Sequence, residues 1–162
     1  MADSVSGGLA VSLRLKPRPV PAIVVGGLIV GVLDLTYAIL VYSPKEPILI
    51  PQTIASGLLG MKSYSGGART AALGIALHLI IALTAAIIYY LASRKLAFLI
   101  RRPTIFGPIY GALVYLFMHL VVLPLSAAPL SDMSFIYKAC EFVEHLFCVG
   151  LPIALSVRRY SP

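Results

Sequence analysis

The sequence predicts an all-α membrane protein, a four-transmembrane-helix bundle, on three observations. Hydrophobic residues make up 59% of the 162 and charged ones only 12%, too little polar surface for a water-soluble domain of this length. Four apolar stretches, 20–42, 70–92, 104–125 and 135–157, are each long enough to cross roughly 30 Å of hydrocarbon at about 1.5 Å per residue. Basic residues gather in alternate connections, the pattern of a multi-pass chain.

Residues 1–19 are polar, hold glycine and proline, and read as a basic cytoplasmic tail ahead of a membrane domain at 20–162. The first span is longer than the apolar core of a secretory signal, and "SPKEP" follows it rather than a small-x-small cleavage site. Next comes the longest connection, 43–69, expected on the outer side. Within it "IPQTIASGLLG" is apolar but too short to cross. Pro51 can begin a helix there and Gly60 can end it, so a short interfacial or re-entrant helix is expected. The connections after the second and third spans are short, which predicts that spans two to four are antiparallel neighbours.

Charge sets the expected orientation. Arg14, Lys16, Arg18, Arg94, Lys95, Arg101, Arg102, Arg158 and Arg159 fall on one side, whereas Lys45, Lys62 and Arg69 fall on the other. The positive-inside rule then places both termini in the cytoplasm. The net charge of +7 therefore marks topology and contact with an anionic lipid surface. No aromatic interleaving accompanies it, so nucleic acid is not an expected partner. Tyr42 and Tyr137 are expected at the outer boundary, and Tyr89, Tyr90, Tyr110 and Tyr160 at the inner one, as an interfacial tyrosine belt. Cys140 and Cys148 stand about 12 Å apart along one helix, too far for a mutual disulfide.

Small residues mark helix-packing faces. Gly27 and Gly31 lie four apart on the first span. Ala71, Gly74, Ala82 and Ala85 share a side of the second with His78. Gly107 and Gly111 mark the third. Such faces let backbones approach closely in lipid.

The chemistry lies in a layer. Counted from span midpoints at about 1.5 Å per residue, Asp34 and His78 sit roughly 4–5 Å to the outer side of centre and His119 roughly 6 Å. Glu141, Glu144 and His145 run from roughly 7 to roughly 2 Å on the same side. A charged side chain at such depth costs at least about 2.5 kcal/mol, so these groups must face the bundle interior and meet one another, an ion or water. Glu141, Glu144, His145 and Cys148 follow the i, i+3, i+4, i+7 spacing of one helical face. His78, His119, Glu141 and His145 form the expected divalent-metal set, because imidazoles and carboxylates from antiparallel helices suit a tetrahedral or octahedral ion. Without metal the same groups make a proton relay.

"LHLIIALTAAIIYY", "GALVYLFMHLVVLPLSAAP" and "EFVEHLFCVGLPIALSVRR" resemble segments of the YagU-type bacterial inner-membrane proteins, a family without an established activity. The resemblance spans 74–159. It implies a multi-span fold in a bacterial inner membrane and polar residues at His78, His119, Glu141 and His145. Asp34, Glu144 and Cys148 have no clear counterpart in it.

Three functions follow from these residues. The first is a divalent-cation site or proton relay in the buried layer. The second is a non-catalytic accessory or assembly subunit, with the layer acting as interhelical hydrogen bonds worth about 0.6 kcal/mol each. The third is a b-type haem protein with His78 and His119 as axial ligands and Gly74 leaving room for the macrocycle. Neither G-x-S-x-G nor H-E-x-x-H occurs, so hydrolase chemistry has no motif to rest on. Four helices enclose a polar site but hardly a wide pore, so a conducting path would require a homo-oligomer or a larger membrane complex.

Overall fold

The computed structural model describes residues 17–129 and 133–161, and every regular element among them is helical. The tail up to residue 16, including Arg14 and Lys16, lies outside the described residues. Four helices are long and apolar enough to span a membrane: α1 (Pro19–Tyr42), α3 (Gly67–Lys95), α5 (Pro103–Leu125) and α6 (Phe135–Tyr160). Two short helices lie between them, α2 (Leu49–Leu59) and α4 (Ala97–Arg101).

Local chemistry fixes the boundaries. Pro19 and Pro103 open α1 and α5, where a missing N–H costs nothing, and the residue before each proline is held out of the helical region. Gly60 stops α2 at a positive φ of 58°, a conformation that a side chain disfavours. A two-turn 3-10 segment, Gly60–Ser65, then leads into α3. α4 occupies the short basic connection between the second and third spans.

The spans pack in the order α3, α1, α6, α5 rather than in chain order. α1 takes the central place because it carries glycine on two faces. Gly27 and Gly31 press against Leu83 and Leu79 of α3, while Gly26 meets Ile153 and Ser156 of α6. α5 reaches α6 through Gly107, Gly111 and Gly150, whose backbones touch. Consecutive α3 and α5 are linked instead by tyrosines at their shared end. The Tyr110 hydroxyl donates to the Ala85 carbonyl at 2.7 Å, and its ring meets Tyr89 edge-on at 5.0 Å.

Tyr89 and Tyr90 consequently depart from the expected belt. They are 1% and 8% exposed and belong to the apolar core, with the Tyr89 hydroxyl donating to Leu99 O. A buried tyrosine is tolerated once its hydroxyl finds a carbonyl. At the opposite end Tyr42 and Tyr137 do meet, with ring centroids 5.6 Å apart. The Arg18 N–H donates to Tyr160 O at 2.8 Å, so the two ends of the described chain lie together.

α2 lies along the Tyr42-side half of α3. Gln52 is buried and donates to Gly67 O at 3.2 Å, and Gly74 gives way to the carbonyl of Pro51. Gly74 thus serves α2 and leaves no room for a macrocycle.

Two of the spans contain a π-helical turn, Met118–Val122 in α5 and His145–Gly150 in α6. Each is followed two residues later by a proline, Pro124 and Pro152. A proline inside a helix withdraws the donor for the carbonyl four residues back and crowds it, and a widened turn accommodates the ring. Both turns contain a histidine of the predicted layer.

The glycine contacts give the first prediction. A Cβ at Gly111 would overlap the His145 backbone, so Gly111→Ala should lower the thermal unfolding midpoint in detergent, at a cost of roughly 1–3 kcal/mol. Gly57→Ala meets only Ser126 Cβ at 3.8 Å and should change stability by no more than roughly 0.5 kcal/mol.

Candidate functional site

Antiparallel packing brings all three histidines of the chain and three of its six acidic residues into one band. On α3, His78 is buried, with Nε2 3.0 Å from the Gly31 carbonyl and 3.8 Å from Asp34. Gly31 makes this reach feasible, because a bare backbone lets α1 sit close enough to α3 to present its carbonyl. One turn along α1, Asp34 turns toward α6. There its carboxylate, the Glu144 carboxylate and a ring nitrogen of His145 all lie within 4.8 Å of one another. His145 Nδ1 is 2.8 Å from Glu144 Oε2 and 3.0 Å from the Glu141 carbonyl. On the far side, Glu141 Oε2 faces His119 Nε2 of α5 at 3.4 Å, and His119 Nδ1 contacts Tyr115 O at 3.1 Å.

The band therefore runs His78, Asp34, Glu144 with His145, Glu141, His119 from α3 to α5, with the Glu141 backbone carbonyl rather than its carboxylate touching His145. The structure divides the predicted metal set. His145 joins Asp34 and Glu144, His119 pairs with Glu141, and His78 leans on α1. Asp34 and Glu144, which the expected metal set left out, occupy the centre. Cys140 and Cys148 are both free thiols, as their spacing requires.

Burial sets the electrostatics. The Glu144 side chain is 1% exposed, yet neither of its oxygens accepts a hydrogen bond. Its 2.8 Å approach to His145 Nδ1 lacks hydrogen-bond alignment, because adjacent residues on a helix do not face each other. The Glu141–His119 contact is of the same kind, and Glu141 Oε2 likewise accepts no aligned bond. Three carboxylates in this band need three positive charges for neutrality, and neutral imidazoles supply none. Protons or a cation must make up the difference.

The acceptors also fix where the imidazole hydrogens sit. A backbone carbonyl can only accept, so His78 Nε2, His119 Nδ1 and His145 Nδ1 are N–H donors. His119 Nε2 is then the nitrogen that faces Glu141 Oε2, 3.4 Å away. Both Nε2 atoms of the haem reading, His78 and His119, already face protein oxygens, on helices at opposite ends of the packing order.

Tyr115 was not singled out as a site residue by the sequence. Its ring lies over His119 at 4.1 Å and meets His145 edge-on at 5.5 Å, so it walls the two imidazoles. Its spacing of four before His119 was the available signal. Pro124 and Pro152 carried a second, since in-span prolines mark where a helix widens.

The fold and the band define a class: a multi-pass helical membrane protein with a buried histidine–carboxylate cluster. Comparison with protein-family models, with curated proteins and with solved structures finds no match for the chain.

A double-mutant cycle on His119→Ala and Glu141→Ala, read by thermal unfolding in detergent, should give a coupling of roughly 0.5–3 kcal/mol. The same cycle on His119→Ala and Lys62→Ala, with Lys62 in the exposed connection before α3, should be additive within roughly 0.5 kcal/mol.

Proposed function

We propose that this protein is a proton-exchanging membrane protein whose buried histidine–carboxylate cluster takes up and passes protons. One observation carries the reading: imidazoles and carboxylates from all four spans converge in one band, His78 beside Asp34, Asp34 within 4.8 Å of Glu144 and His145, and Glu141 facing His119. Imidazole binds a proton at one nitrogen while releasing one at the other, and neighbouring carboxylates accept it. The π turns at His119 and His145 support the reading, because such turns frequently stand at functional sites. A purely structural role has less support, since interhelical hydrogen bonding would not leave both Glu144 oxygens without a donor.

A second reading is favoured by a specific observation. Asp34, Glu144 and His145 offer three ligand atoms within 4.8 Å of one another, the beginning of a divalent-cation site.

The same proposal places the chain with the YagU-type proteins in a bacterial inner membrane, both termini cytoplasmic and α2 dipping into the outer leaflet. The basic residues flanking α1, α3 and α6 and the quoted motifs around His78, His119 and His145 support this.

In proteoliposomes loaded with a pH-sensitive dye, wild type should dissipate an imposed pH gradient. Glu144→Gln and His145→Ala should each slow this roughly tenfold or more, about 1.4 kcal/mol or more in the barrier. Equal rates for wild type, both variants and empty vesicles would remove the proton reading. Retention of Mn2+ or Zn2+ through dialysis by wild type but not by Asp34→Asn would establish the second reading instead. For topology, a cysteine placed at Lys45 should be labelled by an impermeant maleimide on intact spheroplasts, and one placed at Arg159 should be labelled only after lysis.

A further inference from the structure

At the Tyr160 end of the bundle the fold gathers charge of one sign from three separate segments. Arg18 precedes α1, Arg158 and Arg159 lie in the last turn of α6, and the bond from Arg18 N–H to Tyr160 O holds the two segments together. The junction of α3, α4 and α5 adds Arg94, Lys95, Arg101 and Arg102. All seven side chains are exposed, and among the described residues none of them meets a carboxylate. The described acidic groups are remote: Asp34, Glu141 and Glu144 belong to the buried band, and Glu46 lies beyond Tyr42.

α4 is anchored from within and presents apolar side chains outward. Leu99 and Ile100 pack on the core, and the Tyr89 hydroxyl donates to Leu99 O at 3.1 Å. Leu96 and Phe98 are each 43% exposed, with the Phe98 ring held against Phe106 of α5 at 4.6 Å.

We propose that α4 and the cations around it form a docking surface for anionic phospholipid, the guanidinium groups taking the phosphates while Leu96 and Phe98 meet the upper acyl chains. Like charges drawn together by the fold repel one another, so this face gains from an anion laid across it. Six of the seven cations are arginine, whose planar fork matches phosphate oxygens two at a time. The phosphate comes from the bilayer rather than from solution. A soluble anion would leave Leu96 and Phe98 in water, whereas the membrane boundary receives a basic and an apolar face together. Zwitterionic lipid also carries a phosphate, but its own cation cancels the charge that this surface needs.

The chain has no tryptophan, so Phe98→Trp supplies a single fluorescent reporter on α4. The full-length variant is reconstituted in vesicles of phosphatidylcholine and phosphatidylglycerol, with one lipid or the other brominated on its acyl chains. Quenching by each bromolipid then reads their relative association at the reporter. Phosphatidylglycerol should be favoured roughly fivefold, which is about 1 kcal/mol. Adding Arg101→Gln with Arg102→Gln should bring the preference below about twofold. Should that pair fail to fold, Arg94→Gln with Lys95→Gln decides by the same criterion. A Phe135→Trp reporter, at the far end of α6, should also stay below about twofold. Equal quenching by the two lipids at the Phe98→Trp reporter overturns the proposal. So does a preference that survives the glutamine substitutions or that the Phe135→Trp reporter shares. Inorganic phosphate in the buffer should leave the quenching unchanged, and competition by it would assign the cations to a soluble anion and overturn the lipid. The result stands apart from proton exchange, since none of these residues belongs to the buried band.

Discussion

Backbone-to-backbone approach at glycine is the constraint on which the rest of the structure depends. In hydrocarbon the lipid tails are as apolar as leucine, so burying leucine between helices contributes little drive. Association rests on close packing and on polar contacts, and both need the helix axes to come near. Gly107, Gly111 and Gly150 let α5 lie directly on α6, while Gly26, Gly27 and Gly31 let α1 lie between α6 and α3. Were any of these faces held apart by side chains, the imidazoles and carboxylates of neighbouring spans would not reach one another.

Close packing and polarity reinforce each other at two places. At Gly31 the absent side chain lets Leu79 pack and also bares the carbonyl that accepts from His78. At Gly111 the neighbour is the backbone of His145, the first residue of the α6 π turn. The widened turn and the glycine contact together decide which way the His145 ring points. The hydrogen-bond needs of the band are thus met by backbone geometry as much as by side chains. The exception is Glu144, buried at the centre with neither oxygen accepting an aligned hydrogen bond, and the proposed proton exchange rests on that residue.

Much of the architecture was legible in composition and periodicity. Apolar length identifies the four spans, and the helix ends fall where proline, glycine and arginine put them. The short helix before Gly60 was readable from "IPQTIASGLLG", because an apolar run too short to cross must end at a breaker. The layer was readable too, since depth along a helix is a count of residues and charged groups cannot face lipid. Pairings inside the layer were not readable. Residue counting gives height but not azimuth, and the π turns at Met118–Val122 and His145–Gly150 shift azimuth within the two helices that matter. Hence the expected quartet of His78, His119, Glu141 and His145 resolves into an Asp34–Glu144–His145 group with satellites.

The sequence by itself determined that this chain lives in a membrane, crosses it four times, and hides its histidines and three of its carboxylates at one depth. Hydrophobic length and the cost of exposed charge are local properties of each segment, so no fold is needed to read them. Only the tertiary structure decided that α1 rather than α3 stands between its neighbours, that Tyr89 and Tyr90 belong to the core, and that Glu144 meets Asp34 and His145 at the centre of the band. Those outcomes depend on which glycine face meets which helix, and that choice is made between segments distant in sequence.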